Sequence, residues 1–320
     1  MRVFRGPPPA AERAPCALTI GNFDGVHRGH RALLGRVVEA ARARGLLAAA
    51  MTFEPHPREF FTPQAAPARV ANIRDKLQAL AATGLDRVFV QPFNRRFAGL
   101  SAEQFVEQVL IEACHARWLM VGHDFRFGAR RAGDIGLLQA YAERGAFEVH
   151  ELPVVADGAE RVSSSAVRAA LAAGELDRAA QLLGHGYTIS GRVLHGAKLG
   201  RSIGFPTLNL RVAGDRSGGR PALQGVYTVR VHGLGPAPLP GVASLGLRPT
   251  VNADGRWLLE VHLFDFADQV YGRLVRVEFV HKLRDEERYD TLDELVAAIT
   301  RDAERARALL EVPGTVPAPP

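Results

Sequence analysis

The apolar pattern of this 320-residue chain changes character near Gly184, and no single layer of secondary structure accommodates both halves. Before that point, short apolar runs (Ala17 to Gly21, Leu46 to Phe53, Arg87 to Gln91, Trp118 to Gly122, Phe147 to Leu152) alternate with stretches of helical spacing such as Leu33, Leu34, Val37, Val38 and Ala41. Asn72 with Asp75 starts one such helix, to about Ala82. Ser101 with Gln104 resembles a capping box opening another through Ala113, and a third runs from Asp134 to Arg144. Four prolines (55, 57, 63, 67) preclude regular structure over Glu54 to Val70. Strand and helix in alternation predict an α/β doubly wound parallel sheet, whose ligands bind beyond the carboxyl ends of its strands. Two short helices, Ser163 to Ala173 and Glu175 to Leu183, close this half.

After Gly184 the helices stop. Tyr187 to Leu194, Gly225 to His232, Pro240 to Leu247, Trp257 to Phe264 and Leu274 to Leu283 are strand-like runs separated by Gly and Pro, the pattern of an antiparallel β-barrel. Thr291 with Glu294 opens a C-terminal amphipathic helix to Leu310. The expected domains are residues 1–184 and 185–320.

Composition narrows the function classes. No run approaches the roughly 18 to 20 apolar residues of a membrane span, and Met1 to Pro15 holds charges and prolines where a secretory signal needs an apolar core, so a cytoplasmic protein is expected. Two cysteines, Cys16 and Cys114, are too few for a disulfide framework or a zinc site. The net charge of +6 and pI near 9.8 invite a nucleic-acid reading, but only three of the forty basic residues are lysines and no segment is a basic tail. The excess is diffuse, so no nucleic-acid or membrane partner is expected, only small-molecule substrates. Oligomeric state is left open.

Leu18 to His30 places a strand, a Gly21-Asn22-Phe23-Asp24 turn and then His27 and His30 on the opening turn of a helix. Helical residues three apart share a face, so two imidazoles project together at a helix N-terminus, where N–H groups and the dipole favour phosphate. Gly29 between them allows a phosphate to approach the backbone. Arg161-Val-Ser-Ser-Ser-Ala-Val-Arg168 supplies hydroxyls, including Ser164 and Ser165, at a second helix start between two permanent cations. Arg126, Arg130 and Arg131 form a weaker, solvated set.

With these motifs the first half resembles the flavin branch of the His-x-Gly-His nucleotidyltransferases. Thr52-Phe-Glu-Pro-His-Pro57 resembles the family's flavin-side loop and Val121 to Gly128 its loop after the fourth strand, which assigns His56 and Asp124 to flavin. Ser163-Ser164-Ser165 stands where the family usually carries Ser-Ser-Thr, a change that keeps the hydroxyl. The resemblance implies adenylyl transfer, in which an FMN phosphate attacks the α-phosphorus of ATP and pyrophosphate leaves. His27 and His30 would hold the phosphates, Asn22 would support the turn, and Arg161, Ser164 and Arg168 would bind the β/γ-phosphates.

In the second half, Gly191 to Asn209 is glycine-rich without being a P-loop. Gly196, Gly200 and Gly204 recur with Lys198 and Arg201 between them, a loop able to offer N–H groups and cations to polyphosphate. The segment resembles the riboflavin kinase signature, ending Pro206-Thr207-Leu208-Asn209 where alanine is commonest at position 208. By that resemblance Thr207 and Asn209 ligate Mg²⁺, with ATP and riboflavin as substrates, and Glu260, an acidic residue inside an apolar strand, is the base for the ribityl 5′-hydroxyl. Arg248-Pro-Thr-Val-Asn252 repeats the Pro-Thr-x-Asn pattern near the flavin, so spacing alone leaves either copy as the catalytic one; the glycine-rich lead-in favours the first. His262 and Asp265 are read as structural. From Ala17 to Leu310 the chain thus resembles prokaryotic bifunctional riboflavin kinase and FAD synthetase. Two other readings compete: a nucleotidyltransferase for another phosphorylated cofactor precursor, which leaves the barrel motif unexplained, and a non-enzymatic RNA-binding protein, which rests on pI alone.

Overall fold

The computed structural model describes residues 1–152, 156–157, 160–196, 200, 203–212, 219–248 and 256–311, without the side chains of 156–157, 160–161, 248 and 256. The chain divides into two compact units, Met1–Pro67 with Lys76–Ser163 and Ala68–Asp75 with Ser164–Pro320.

In the first unit β1 (Arg2–Arg5), β2 (Cys16–Ile20), β3 (Leu47–Glu54), β4 (Arg87–Pro92), β5 (Ala116–Gly122) and β6 (Glu148–Leu152) form one parallel sheet in the order β1-β4-β3-β2-β5-β6. The chain leaves β2 through α1 (Arg28–Arg44) for β3 on one side, while β5 lies on the other. Strand order therefore reverses at β2, the position beyond whose carboxyl end open α/β sheets bind their ligands. Helix α1 buries Leu33, Leu34, Val37 and Ala41 and ends on Gly45, whose φ of 64° is left-handed. Beneath it β2 is buried along its whole length, as the centre of a two-sided sheet must be.

Sequence patterning predicts five strands for this sheet, and among the described residues it has six. Strand β1 is only four residues long and largely exposed, so it carries no apolar run; Phe4 anchors it by packing 5.7 Å from Phe89. The proline-rich stretch also departs from expectation. Pro57 is the first residue of α2 (Pro57–Phe61), where a missing N–H costs nothing, and His56 with Glu59 forms a capping box. The Ser101–Gln104 box is present, but the helix it opens continues over Phe105–Ala113 as a π-helix. Asp134 caps α4 (Ile135–Glu143), after α3 (Ile73–Ala81), where Asn72 Oδ1 accepts the Asp75 N–H at 2.9 Å. Two two-residue strands, β7 (Ala156–Asp157) and β8 (Glu160–Arg161), pair with each other.

The second unit opens with α5 (Ser164–Ala173) and α6 (Leu176–Leu183). Strands β9 (Thr188–Leu194), β10 (Leu208–Arg211), β11 (Gly225–His232), β12 (Leu239–Arg248), β13 (Arg256–Leu263) and β14 (Leu274–Arg284) then close an antiparallel barrel in the order β10-β13-β12-β11-β14-β9. Strand β10, the sixth, is absent from the sequence expectation because its four residues overlap the Pro-Thr-x-Asn motif. Segment 68–75 belongs to this unit: Asn72 Nδ2 and the Ser190 N–H both donate to Asp75 Oδ2, at 2.7 and 3.0 Å. Burial raises the Asp75 pKa above the ordinary carboxylate value, against these hydrogen bonds, which lower it.

Helix α7 (Leu292–Leu309), opened by a Thr291–Glu294 capping box, lays Ala303 and Ala306 on Phe205, Val226, Val242 and Leu283 of the barrel's outer face. At its far end Arg307, 5% exposed, holds the Asp265 carboxylate through two 3.0 Å hydrogen bonds and stacks 4.4 Å from the Phe264 ring. Those bonds keep the Asp265 carboxyl below its usual range. Among the described residues no helix is long and apolar enough to cross a membrane.

Candidate active sites

The turn after β2 lies at the carboxyl end of the strand where the sheet order reverses. Gly21 N–H donates to Met51 O at 3.0 Å, and Thr52 Oγ1 donates to Asn22 O at 3.0 Å, so the turn is pinned to β3. Phe23 and Val26 adopt φ of 47° and 42°, left-handed values that non-glycine residues accept only where surrounding packing holds them. Both are fully buried. His27 is the N-cap of α1 and not one of its helical residues: its Nδ1 accepts the His30 N–H at 3.3 Å, which fixes the proton of a neutral ring on Nε2. The two imidazoles stack with centroids 3.6 Å apart and 17° between planes, and the Phe23 ring meets His30 edge-on at 5.2 Å. The paired histidines expected from spacing therefore sit as one rigid block at the N-terminus of α1.

Gly29 has a packing reason as well as the phosphate role expected of it. A Cβ there would lie 3.2 Å from the Val162 carbonyl and 3.3 Å from the His27 ring, so glycine lets the end of the Arg161-to-Ser163 segment rest against the histidine block. The Arg161 side chain lies outside the described residues. Described within the second unit, Ser164 and Ser165 start α5, and Arg168 Nε donates to Ala68 O at 2.6 Å, fastening segment 68–75. His56 caps α2 through Nδ1, which accepts the Arg58 N–H at 3.1 Å, and Asp124 is exposed in the turn after β5. Downstream of Asp124, Phe127 and Gly133 exchange backbone hydrogen bonds of 3.1 and 2.9 Å, closing a loop that presents Arg130 and Arg131 to solvent.

A cluster that patterning missed lies at the carboxyl ends of β3 and β4. Phe60 and Phe61 of α2 are 36% and 61% exposed and meet Phe93 at 5.6 Å each, with Phe53 and Phe97 beside it. Exposed aromatic faces are costly unless something planar covers them. The proline-rich context concealed the helix that positions them.

In the barrel unit a cavity of about 320 Å³ lies on the outer face of β12 and β13 under α7. Glu260, Ser244, Thr207 and Glu286 form a polar side, and Val226, Val242, Leu295 and Ile299 an apolar one. Glu260 is paired directly with Asn209 of β10 and, on its other side, with Ser244 of β12, so all three project from one face. The acidic strand residue of the sequence thus stands opposite Asn209 across the β10–β13 ladder and lines the cavity together with Thr207. His262, also lining the cavity, donates Nδ1–H to Pro206 O at 2.9 Å; burial pushes its pKa below the ordinary histidine value. It thereby fixes the peptide preceding Thr207.

Gly196 faces Asn209: a Cβ there would lie 2.2 Å from Nδ2. Gly200 faces the Phe205 carbonyl, which a Cβ would meet at 2.3 Å, and Gly204 has a φ of 83°. Lys198 and Arg201 lie outside the described residues, as do the Arg248 side chain and the second Pro-Thr-x-Asn copy with Thr250 and Asn252. The cavity residues Glu286, Ser244, Arg284 and Asp302 carried no sequence signal, because they come together only when α7 and the segment before it fold onto the barrel. Thr207, Asn209 and Glu260 are hard oxygen donors, a set that suits a magnesium ion.

Comparison with known proteins finds one enzyme domain in each half of the chain. The FAD synthetase family model matches residues 10–166 and the riboflavin kinase family model residues 183–310. The chain is 49% identical over 297 residues to the bifunctional riboflavin kinase/FMN adenylyltransferase of Escherichia coli (strain K12), covering 93% of each chain. It is 44% identical to the protein of the same name from Haemophilus influenzae, covering 92% of this chain and 94% of that one. Among solved structures, one described as a macrolide-efflux protein from Streptococcus pneumoniae is 29% identical with a TM-score of 0.73, over 93% of this chain and 96% of that one. Two enzyme domains in the same order, matched along nearly the whole length of curated relatives, place this chain in the family of bifunctional riboflavin kinase/FMN adenylyltransferases.

Proposed function

We propose that the chain converts riboflavin to FMN in its barrel and FMN to FAD in its parallel-sheet domain, consuming ATP in each step, with residues 185–320 serving the first and 1–184 the second. The observation that carries the reading is Glu260 set directly across the ladder from Asn209, on a cavity that also takes Thr207. Riboflavin lies in that cavity with its ring system on the apolar side and Arg248 near the flavin. Glu260 accepts the proton of the ribityl 5′-hydroxyl as that oxygen attacks the γ-phosphorus of ATP. Thr207 and Asn209 would hold Mg²⁺, which would supply neutralisation of phosphate charge. The loop of Gly196, Lys198, Gly200, Arg201 and Gly204 receives the polyphosphate.

In the other domain the nucleophile is already an anion, so the protein supplies position and charge stabilisation and no covalent chemistry. His27 and His30 bind the ATP phosphates at the N-terminus of α1, with Gly21, Asn22, Phe23 and Gly29 shaping the turn, and His30 nearest the reacting phosphorus. Arg161, Ser164, Ser165 and Arg168 take the β/γ-phosphates. The flavin of FMN stacks on Phe60 and Phe61, beside His56 and Asp124. A cytoplasmic location, with neither nucleic acid nor membrane as partner, belongs to the same reading.

The test is to incubate the full chain with riboflavin, ATP and Mg²⁺ and separate the products. FMN followed by FAD is expected; FMN alone removes the second assignment, and no product removes both. Glu260→Gln should stop FMN formation while FAD formation from supplied FMN continues.

A further inference from the structure

The kinase cavity carries a second carboxylate that the reaction chemistry does not require. Glu286 follows β14, and its Oε1 accepts a hydrogen bond from Ser244 Oγ at 2.9 Å. Ser244 is the residue directly opposite Glu260 in the β12–β13 ladder, and all three line the same cavity. The Glu286 carboxylate also lies against Gly246: a Cβ there would fall 1.7 Å from Oε2 and 2.1 Å from Cδ, so only glycine admits the group where it is. Nearby, Arg284 holds the buried Asp302 at 2.7 Å and Tyr289 Oη donates to Glu287 at 2.8 Å. A half-buried carboxylate placed by a serine and a glycine is a built acceptor and not a solubilising surface charge.

We infer that Glu286 is a specificity-determining residue that accepts a hydrogen bond from a secondary hydroxyl of the ribityl chain, next to the hydroxyl that reacts at Glu260. This rests on the riboflavin kinase reading above. Opposed residues in a ladder stand about 5 Å apart at Cβ, so the acceptor on Ser244 lies one or two carbons along the polyol from the group that meets Glu260. The ring system suits the other end of the cavity, where Val226, Val242, Leu295 and Ile299 are apolar. The division of labour is then chemical: Glu260 takes a proton from the primary hydroxyl, and Glu286 selects chains that present a hydroxyl beside it. A site built to accept from a hydroxyl disfavours the analogue that lacks it, because one charge-assisted hydrogen bond to the carboxylate is then not made.

The experiment is a cycle between protein and substrate changes, reading kcat/KM for 5′-phosphorylation by the full chain. Wild type should prefer riboflavin over its 4′-deoxy or 3′-deoxy analogue on the order of 10- to 100-fold. Glu286→Gln should lose a similar factor on riboflavin, chiefly in KM, and show almost no further loss on the analogue that removes the partner hydroxyl. Gly246→Ala, which displaces the carboxylate without removing it, should lose the same discrimination, and Glu286→Asp should restore part of it. Equal losses of Glu286→Gln on riboflavin and on both deoxy analogues would overturn the inference, leaving a structural residue. Coupling found only with 3-methylriboflavin would also overturn it, in favour of a contact to the ring. A wild-type chain that forms no FMN at all would instead sink the kinase reading itself.

Discussion

Gly196→Ala tests the kinase site with the least chemical change available. Glycine there faces the Asn209 amide: an added Cβ would lie 2.2 Å from Nδ2, 2.6 Å from Cγ and 2.9 Å from Oδ1. Carbon atoms pack at about 3.5 to 4.0 Å, so the amide must retreat by roughly 1 Å. It has little room, since Asn209 is only 7% exposed on a strand paired on both sides, with β9 and β13. Displacing a positioned group by about 1 Å costs on the order of 100-fold in rate, and overpacking of this kind costs about 1 to 3 kcal/mol of stability. The assay is kcat/KM for FMN production, with FAD production from supplied FMN measured in parallel on the same preparation. The expected result is a kinase loss of roughly two orders of magnitude and an unchanged adenylyltransferase. Asn209→Ala removes the atoms with which the methyl collides, so the double variant should lose no more than Asn209→Ala alone. Wild-type kinase activity in Gly196→Ala, or full additivity in the double variant, would refute the placement of Asn209 in the site.

Three further outcomes are expected. His30→Ala should lower kcat for FAD formation by about 10²- to 10³-fold, the loss of one charge-stabilising donor, with FMN formation intact; equal loss of both activities would point to misfolding. Burial holds the His262 pKa below its ordinary 6.5, so the stability contributed by the neutral ring is present above that pH and is lost as pH falls through the folded-state value. His262→Asn should flatten the acid side of the barrel's thermal stability below pH 6.5, and an unchanged slope would remove His262 as its source. Asp302→Ala leaves Arg284 without its part-buried partner and should cost about 2 to 4 kcal/mol in barrel unfolding, followed by denaturant titration; a cost under about 0.5 kcal/mol would mean that the pair holds nothing in place.

What was legible in the sequence and what was not have a common physical basis. Elements long enough to show a period, such as α1 with Leu33, Leu34, Val37 and Ala41 buried, appeared at once. Among the elements missed were β1 and β10, four residues each and too short for any period, and α2, which hides behind Pro57 because proline at a helix start is read as proline in a loop. Residues within a motif were found, since a motif is local in sequence. Glu286 and Ser244 were not, since 42 residues separate them and only the packing of the segment before α7 unites them.

The glycines of both motifs serve protein packing as well as ligand approach. Spacing alone assigns Gly29, Gly196 and Gly200 to the approach of a phosphate. Yet each also faces a protein atom that a Cβ would crowd: the Val162 carbonyl, the Asn209 amide and the Phe205 carbonyl. A signature of this kind therefore records the close packing that builds the loop, and its glycines are fixed before any ligand arrives. It follows that substitutions at these positions should damage the free enzyme's site geometry, and with it kcat, more than they weaken ATP binding. A glycine needed only for ligand approach would show the reverse, a raised KM for ATP at nearly constant kcat. That split in kinetic parameters, measured for Gly196→Ala and Gly200→Ala against ATP, separates the two roles that the spacing of the motif leaves merged.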